Sequence, residues 1–194
     1  MVHLHTRSCY SLLESPFRIE EIIDTAIEQG CTHVACTDLN SMYATMMFWK
    51  MAQAKGIHPI LGLELACTYQ EAPLHFVLLA KDDIALQELY GISTQLMNGE
   101  ALAFASLVNQ SQHCIVLTAG SSDQLEACME HQDQAGIEAL LQVCKEAWSD
   151  FYVSIAMNDS MLRKENNVLL KTCAKHLTIP TVALSRVYYK KRED

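Results

Sequence analysis

Short apolar runs rich in Val, Ile, Leu and Ala alternate with amphipathic stretches along the 194-residue chain. The apolar runs predict seven strands, at 2–5, 33–38, 59–65, 74–80, 114–118, 151–156 and 181–185. The stretches with apolar residues at helical spacing predict helices at about 16–29, 42–55, 82–96, 100–108, 122–131, 135–148 and 160–176. Strands that alternate mostly with helices indicate an α/β protein with a parallel sheet, either open or closed into a distorted barrel.

Two of the predicted helices carry local signals. Ser15 followed by Pro16 is typical of an N-cap and the first residue of a helix, and Gly30 is a stop signal. The second helix contains a run of large apolar residues, namely Met42, Met46, Met47, Trp49 and Met51. We expect this run to pack in the core, and the alternative is an adaptable docking surface.

Composition narrows the class of protein. Half of the residues are hydrophobic and 19% are charged, which excludes a disordered chain, and one domain over residues 1–194 is the simplest organisation. The formal charge of −9 disfavours tight binding to a phosphate backbone. The eight cysteines form no CxxC pair and predict free buried thiols in the reducing cytoplasm. We find no apolar stretch of 18 residues and no signal peptide, so we expect no membrane partner.

Polar side chains occur where several predicted strands end. In parallel α/β sheets these carboxyl ends meet on one rim, where functional groups gather. We therefore expect His5, Glu14, Asp38 and Glu64 to lie close together, where imidazole and carboxylate groups are suited to zinc or manganese. Any parallel sheet places some polar residues on this rim, so the spacing alone leaves metal binding open.

Three other histidines begin strands instead of ending them. His58, His75 and His113 are therefore expected at the opposite end of the sheet from the rim, in structural roles.

Four segments carry a resemblance to a known family. They are HLHTRSCYSLLES at 3–15, ACTDLNSMYATMMFWKMAQAKGIHPILGLEL at 35–65, LHFVLLAKDDIALQELYGIS at 74–93 and IPTVALSRVYYKKRED at 179–194. In this order they resemble the N-terminal PHP (polymerase and histidinol phosphatase) domain of the alpha subunit of bacterial DNA polymerase III. The resemblance implies a distorted (βα)7 barrel with mostly parallel strands, forming an N-terminal fragment of a much larger polymerase chain. In active members its rim holds up to three metal ions and hydrolyses phosphoesters.

Part of the family's ligand pattern is retained. His5 and Glu64 agree with the motif, and Asp38 stands in its expected place. Glu14 replaces an Asp, which is a tolerable change. These four residues are the remains of the implied metal rim.

The other ligand positions are replaced. The family has His where this chain has Arg7 and Leu39, Cys or His where it has Gly120, and an Asp-x-His pair at Arg186 and Tyr188. A guanidinium cannot ligate a metal ion and repels one nearby. We therefore expect no metal, cofactor or catalytic residue in this domain.

The two new arginines suggest a specific arrangement. We hypothesise that Arg7 and Arg186 occupy the space of the lost metals and pair with Glu14, Asp38 or Glu64. The alternative is that both arginines point to solvent.

Two functions from different classes follow from the resemblance. The first is a non-catalytic scaffold in DNA replication, which stabilises the polymerase and docks a proofreading exonuclease or another replisome subunit. The alternative is a metal-dependent phosphoesterase or 3′–5′ exonuclease with Zn or Mn on a reduced site. The parent resembles a DNA-directed DNA polymerase, a nucleotidyltransferase of the cytoplasm whose Mg-dependent reaction lies outside this domain. DNA is then reached through the full-length enzyme, with weak or no binding by this fragment.

Overall fold

The computed structural model describes residues 2–119, 123–156 and 161–187, apart from the side chains of 161–163 and 186. The strands are β1 His5–Thr6, β2 His33–Leu39, β3 His58–Tyr69, β4 Ala72–Ala80, β5 Cys114–Thr118, β6 Phe151–Ala156, β7 Thr181–Leu184 and β8 Arg186–Val187. The helices are α1 Ile19–Glu28, α2 Thr45–Ala54, α3 Asp83–Met97, α4 Phe104–Gln110, α5 Gln124–Glu130, α6 Gln134–Ala147 and α7 Met161–His176.

The strands form a curled, mostly parallel sheet. Strands β2 to β7 lie side by side in chain order, and β1 pairs with β8 in a separate two-stranded parallel sheet. Only Ser185 separates β8 from β7, so the chain passes from one sheet to the other at that end. At the other end β1 lies beside β2, where Ala35 N donates to His3 O at 3.2 Å and Thr6 N donates to Thr37 Oγ1 at 3.0 Å. The predicted α/β distorted barrel is confirmed, with its last strand in two pieces.

Strand β4 runs against its neighbours on both sides. The turn between β3 and β4 contains Gln70 and Glu71 with φ of 47° and 67°, so the chain reverses without a helix. His75 in β4 consequently pairs with Ala66 near the carboxyl end of β3. Our placement of His75 at the opposite end of the sheet was wrong because it assumed a parallel strand.

Helix α1 buries one apolar stripe against the sheet, formed by Ile19, Ile22, Ile23 and Ala26. It begins three residues later than Pro16, so the N-cap predicted at Ser15 was wrong. The Ser15 hydroxyl instead donates to Arg7 O at 2.9 Å and accepts from Phe17 N at 3.1 Å. This turn lies directly before the helix and holds the preceding loop against Arg7.

The run of methionines on α2 is divided between the core and the surface. Helix α2 buries Thr45, Phe48 and Ala52, which are spaced along one face, and Met42 before the helix is also buried. The side chains that fall on the other face, Met46, Met47 and Trp49, are exposed. The prediction that these three residues pack in the core was therefore wrong. The buried face of a helix recurs every three or four residues, so it cannot include both 46 and 47, which are adjacent in the sequence.

The structure bears on two expectations from composition, one about the cysteines and one about membrane-spanning helices. All eight cysteines are free and five are buried, whereas Cys9, Cys31 and Cys128 are half-buried. None of the helices within 2–119, 123–156 and 161–187 combines the length and apolarity that a bilayer span requires.

Candidate functional site

The carboxyl end of β1 brings His5 and Arg7 to Glu64 of β3. Side chains alternate along a strand, so His5 and Arg7 share one face while Thr6 lies on the other. His5 Nε2 lies 2.6 Å from Glu64 Oε2. Glu64 stands opposite Val77 of β4, whose side chain belongs to an apolar cluster with Leu79 and Leu117. Glu64 is therefore a buried acid beside an apolar interior.

Arg7 forms a two-pronged ion pair with Glu64. Its Nε lies 2.5 Å from Glu64 Oε2 and its Nη2 lies 2.7 Å from Oε1, the fork geometry that makes guanidinium–carboxylate pairs strong. Its Nη1 also donates to Glu14 Oε2 at 2.6 Å. Arg7 is 5% exposed and Glu64 1%, whereas the Glu14 side chain is 49% exposed. Arg7 thus joins a buried acid to a partly solvated one.

The charge on Glu64 is stabilised by these neighbours. Burial raises its pKa, but the hydrogen bonds and charges of His5 and Arg7 outweigh burial and lower the pKa to about 2. An ionised carboxylate only accepts hydrogen bonds, so the proton in the His5–Glu64 contact belongs to His5 Nε2. Glu64 is therefore an ionised carboxylate whose charge is stabilised by the hydrogen-bond donors of His5 and Arg7.

Asp38 at the end of β2 is held differently. Its Oδ1 accepts from Ser8 N at 2.6 Å and Ser11 Oγ at 2.7 Å, and its Oδ2 accepts from Ser8 Oγ at 2.7 Å. Ser11 Oγ in turn accepts from Leu39 N at 3.0 Å. Burial, followed by the charge of Asp38, raises the pKa of the Cys36 thiol, which therefore stays protonated. Neutral donors from the loop after β1 surround this acid.

Asp38 and Glu64 lie on opposite faces of the sheet. In the β2–β3 register Leu39 pairs with Glu64, and Thr37 pairs with Gly62. Paired residues share a face and neighbours along a strand alternate, which places Asp38 on the face of Cys36. The expected single cluster of four residues is therefore divided: the group at Glu64 includes His5 and Glu14, and Asp38 belongs to the loop.

The loop between β1 and α1 provides residues that sequence reasoning missed. Ser8 and Ser11 bind Asp38, while Ser11 N donates to Ser8 O and Glu14 N donates to Ser11 O, both at 3.0 Å. Cys9 N donates to Phe17 O at 2.8 Å and closes the loop at its base. The two serines three apart were the available signal, since such residues favour local hydrogen bonds to backbone and acids.

The arginine hypothesis has separate outcomes at its two positions. The pairing of Arg7 with Glu14 and Glu64 is confirmed, and the alternative that Arg7 points to solvent is wrong. The backbone of Arg186 pairs with His5, but its side chain, like all of Gly120 and Tyr188, lies outside the described residues. Its proposed ion pair stays a prediction.

The fold is an α/β barrel, a class in which functional groups gather at the carboxyl ends of the strands. The sequence model of the PHP domain matches residues 3–160, and the chain belongs to this PHP domain family. The DNA polymerase III subunit alpha of Bacillus subtilis is 31% identical over the whole chain, and that of Pseudomonas aeruginosa 28%. The chain spans 18% and 17% of the lengths of these two relatives.

Solved structures of low sequence identity share the fold. An amidohydrolase from Chromobacterium violaceum is 12% identical with a TM-score of 0.66, covering 100% of this chain and 89% of that one. A two-domain protein from Bacteroides vulgatus containing a predicted PHP-like metal-dependent phosphoesterase is 11% identical with a TM-score of 0.61, covering 96% and 51%. These similarities support the distorted barrel.

The metal ions implied by the family resemblance do not fit the residues present here. The Arg7 guanidinium contacts both carboxylate oxygens of Glu64 and one of Glu14, so a cation already occupies the place where a divalent ion would need these ligands. Asp38 has both oxygens bound by serines on the other face. Within the described ranges, no group of three or more His, Cys, Asp or Glu side chains is arranged to hold a metal ion.

Proposed function

We propose that this chain is a non-catalytic PHP scaffold that serves DNA replication within an alpha subunit of the DNA polymerase III type. The single observation that carries the proposal is the Arg7 guanidinium on Glu64. Hydrolysis of a phosphoester by the family's chemistry needs metal-activated water, and a fixed cation on the acid displaces the metal. The same cation instead gives the barrel a buried ion pair.

The similarity over the whole chain to two polymerase alpha subunits supports the place of this scaffold in replication. Nucleotidyl transfer, with its Mg ions, then belongs to other parts of such a subunit. The net charge of −9 fits a domain that leaves DNA binding to the remainder of the polymerase. The partners of this domain are then other proteins.

The exposed face of α2 is the part of the scaffold that we assign to docking a proofreading exonuclease or another replisome subunit. Met46, Met47 and Trp49 are 55%, 47% and 42% exposed, and methionine side chains adapt to varied partners. Replacing Met46 and Met47 together by Ser should weaken binding of an added exonuclease subunit about tenfold or more in a titration, whereas Val168→Ser, at an exposed position of α7, should not. Equal affinities would exclude this face.

A metal and activity assay tests the scaffold against the hydrolase. Elemental analysis of the purified chain should find no stoichiometric Zn or Mn, and added Mn should produce no phosphodiester turnover. The double variant Arg7→His with Leu39→His removes the cation and places imidazoles beside Glu64, and it should gain affinity for Zn. Stoichiometric metal in the unaltered chain, together with turnover abolished by His5→Ala, would establish the hydrolase instead.

A further inference from the structure

A cavity of about 100 Å³ lies between α1 and the outer side of the barrel wall. Thr6 of β1, Val34 of β2 and Val187 of β8 line one side of it; Thr25, with the apolar Ile22 and Ala26, lines the α1 side, and Phe17 lies before the helix. The position is separate from the Glu64 group, because Thr6 faces away from the face that carries His5 and Arg7. Such a cavity is several times larger than the ~10–15 Å³ that one water molecule needs.

Two buried hydroxyl groups line this cavity without a protein partner. Thr6 is 2% exposed, and neither its Oγ1 nor the buried Oγ1 of Thr25 has a hydrogen-bond partner within the described residues. Two further buried polar atoms share this condition, on Asn40 and Ser154, but neither residue lines the cavity. The pair of threonines is therefore a local feature of this one space.

The Thr25 hydroxyl contrasts with others on the helices of the same chain. A helical Thr commonly donates to the carbonyl four residues earlier. Thr94 donates in this way to Tyr90 O at 2.8 Å, and Thr172 to Val168 O at 2.9 Å. Thr25 does not use this local bond, so its hydroxyl remains available to the cavity.

The mouth of the cavity is polar. His3 Nε2 lies 3.1 Å from Gln29 Oε1, and both residues line the cavity. The described lining contains no Asp, Glu, Lys or Arg, so the space favours a neutral hydrogen-bonding occupant over an ion. Burying a hydroxyl unpaired costs free energy, and water is the occupant that satisfies two hydroxyls across such a gap.

We propose that this cavity is a hydration site in which ordered water molecules bridge Thr6 Oγ1 and Thr25 Oγ1. The bridge ties α1 to β1, the strand whose ends carry His5 and Arg7. The contact between His3 and Gln29 lies at the exposed rim of the same cavity.

Isosteric substitutions test the bridge. Thr25→Val and Thr6→Val remove a hydroxyl and keep the shape, so each should lower the Tm of the chain by about 2–4 °C if water binds both groups. The control Thr94→Val, at an exposed position of α3, should change the Tm by less than either. In a dry cavity the same two variants remove an unpaired polar group, and an unchanged or raised Tm would overturn the proposal.

A crystallographic measurement on the unaltered chain gives an independent answer. At high resolution, water oxygens should lie within 3.2 Å of both hydroxyls. Crystals pressurised with xenon should show no xenon in this cavity, since xenon enters dry apolar cavities. Xenon density between Thr6 and Thr25 would refute the hydration site, whatever the variants show.

Discussion

Two buried carboxylates of this barrel, Glu64 and Asp38, are stabilised by different means. They are 1% and 2% exposed; Asp38 is the penultimate residue of β2, and Glu64 lies within β3 beside Leu39, the last residue of β2. Glu64 is neutralised by the charge of Arg7, whereas Asp38 is surrounded by the hydroxyl and amide groups of Ser8 and Ser11. Two carboxylates that are equally buried can therefore be stabilised by different interactions. Glu64 depends on one cation, whereas Asp38 depends on several weaker, neutral hydrogen-bond donors.

Removing the cation is expected to have the largest effect. Arg7→Ala leaves Glu64 buried without its main charge partner, and breaking a buried ion pair typically costs about 3–5 kcal/mol. Urea unfolding at pH 7 would measure this loss in the free energy of unfolding. Arg18→Ala, at an exposed arginine, should cost less than about 0.5 kcal/mol. If the two variants lost equal stability, Arg7 would not be the neutralising group.

Acid should remove a comparable part of the stability. The pKa of Glu64 is about 2 in the folded chain and about 4.5 when unperturbed, so ionised Glu64 favours folding. This contribution, about 3 kcal/mol, is complete above pH 4.5 and is lost as the pH falls through 2. Unfolding curves at steps between pH 5 and 2 should show it. Glu64→Gln lacks the titrating group and should lose less stability over this interval; an identical pH profile would contradict the assignment.

Asp38→Asn should have a smaller effect. The amide oxygen can keep the bonds from Ser8 N and Ser11 Oγ that Asp38 Oδ1 accepts, and the Ser8 hydroxyl can rotate to accept from the NH2 group that replaces Oδ2. We expect a loss of about 1–2 kcal/mol, the range for weakening neutral hydrogen bonds. The same urea assay compares it with Arg7→Ala. A loss as large as that of Arg7→Ala would show that Asp38 also depends on a cation.

Glu14→Gln should have the smallest effect of the four changes. Glu14 pairs with Arg7 at 2.6 Å, but its side chain is 49% exposed and solvent screens the pair. The expected loss is under about 1 kcal/mol at pH 7, and it should shrink further in 1 M NaCl. A double-mutant cycle with Arg7→Ala measures the coupling directly. A coupling of 3 kcal/mol would mean that Glu14 and Glu64 share the cation equally.

The sequence predicted the central elements of the fold well. Strands β5 and β6 begin and end where their apolar runs do, because buried strands are continuous apolar segments. Asp82 caps α3 by accepting from Ala85 N, as a carboxylate at a helix N-terminus does. The start of α1 was misplaced because Ser15 is committed to the loop, a tertiary contact that no local pattern contains.

The site was only partly predictable. The meeting of His5, Arg7, Glu14 and Glu64 was expected from predicted strand ends that share a rim, although β3 continues five residues beyond Glu64 to Tyr69. The separation of Asp38 from that group depends on the β2–β3 register, in which Leu39 and not Asp38 stands beside Glu64. A register fixed by strand pairing cannot be obtained from one strand alone, since a shift of one residue exchanges the two faces.

The covalent attachment of Arg7 has a consequence for how the barrel matures. An exchangeable ion must be captured from the surroundings and can be withdrawn by a chelator, whereas a guanidinium arrives with the nascent chain at a fixed ratio of one per molecule. The buried acid of this barrel is therefore neutralised from the moment of folding, independently of metal supply.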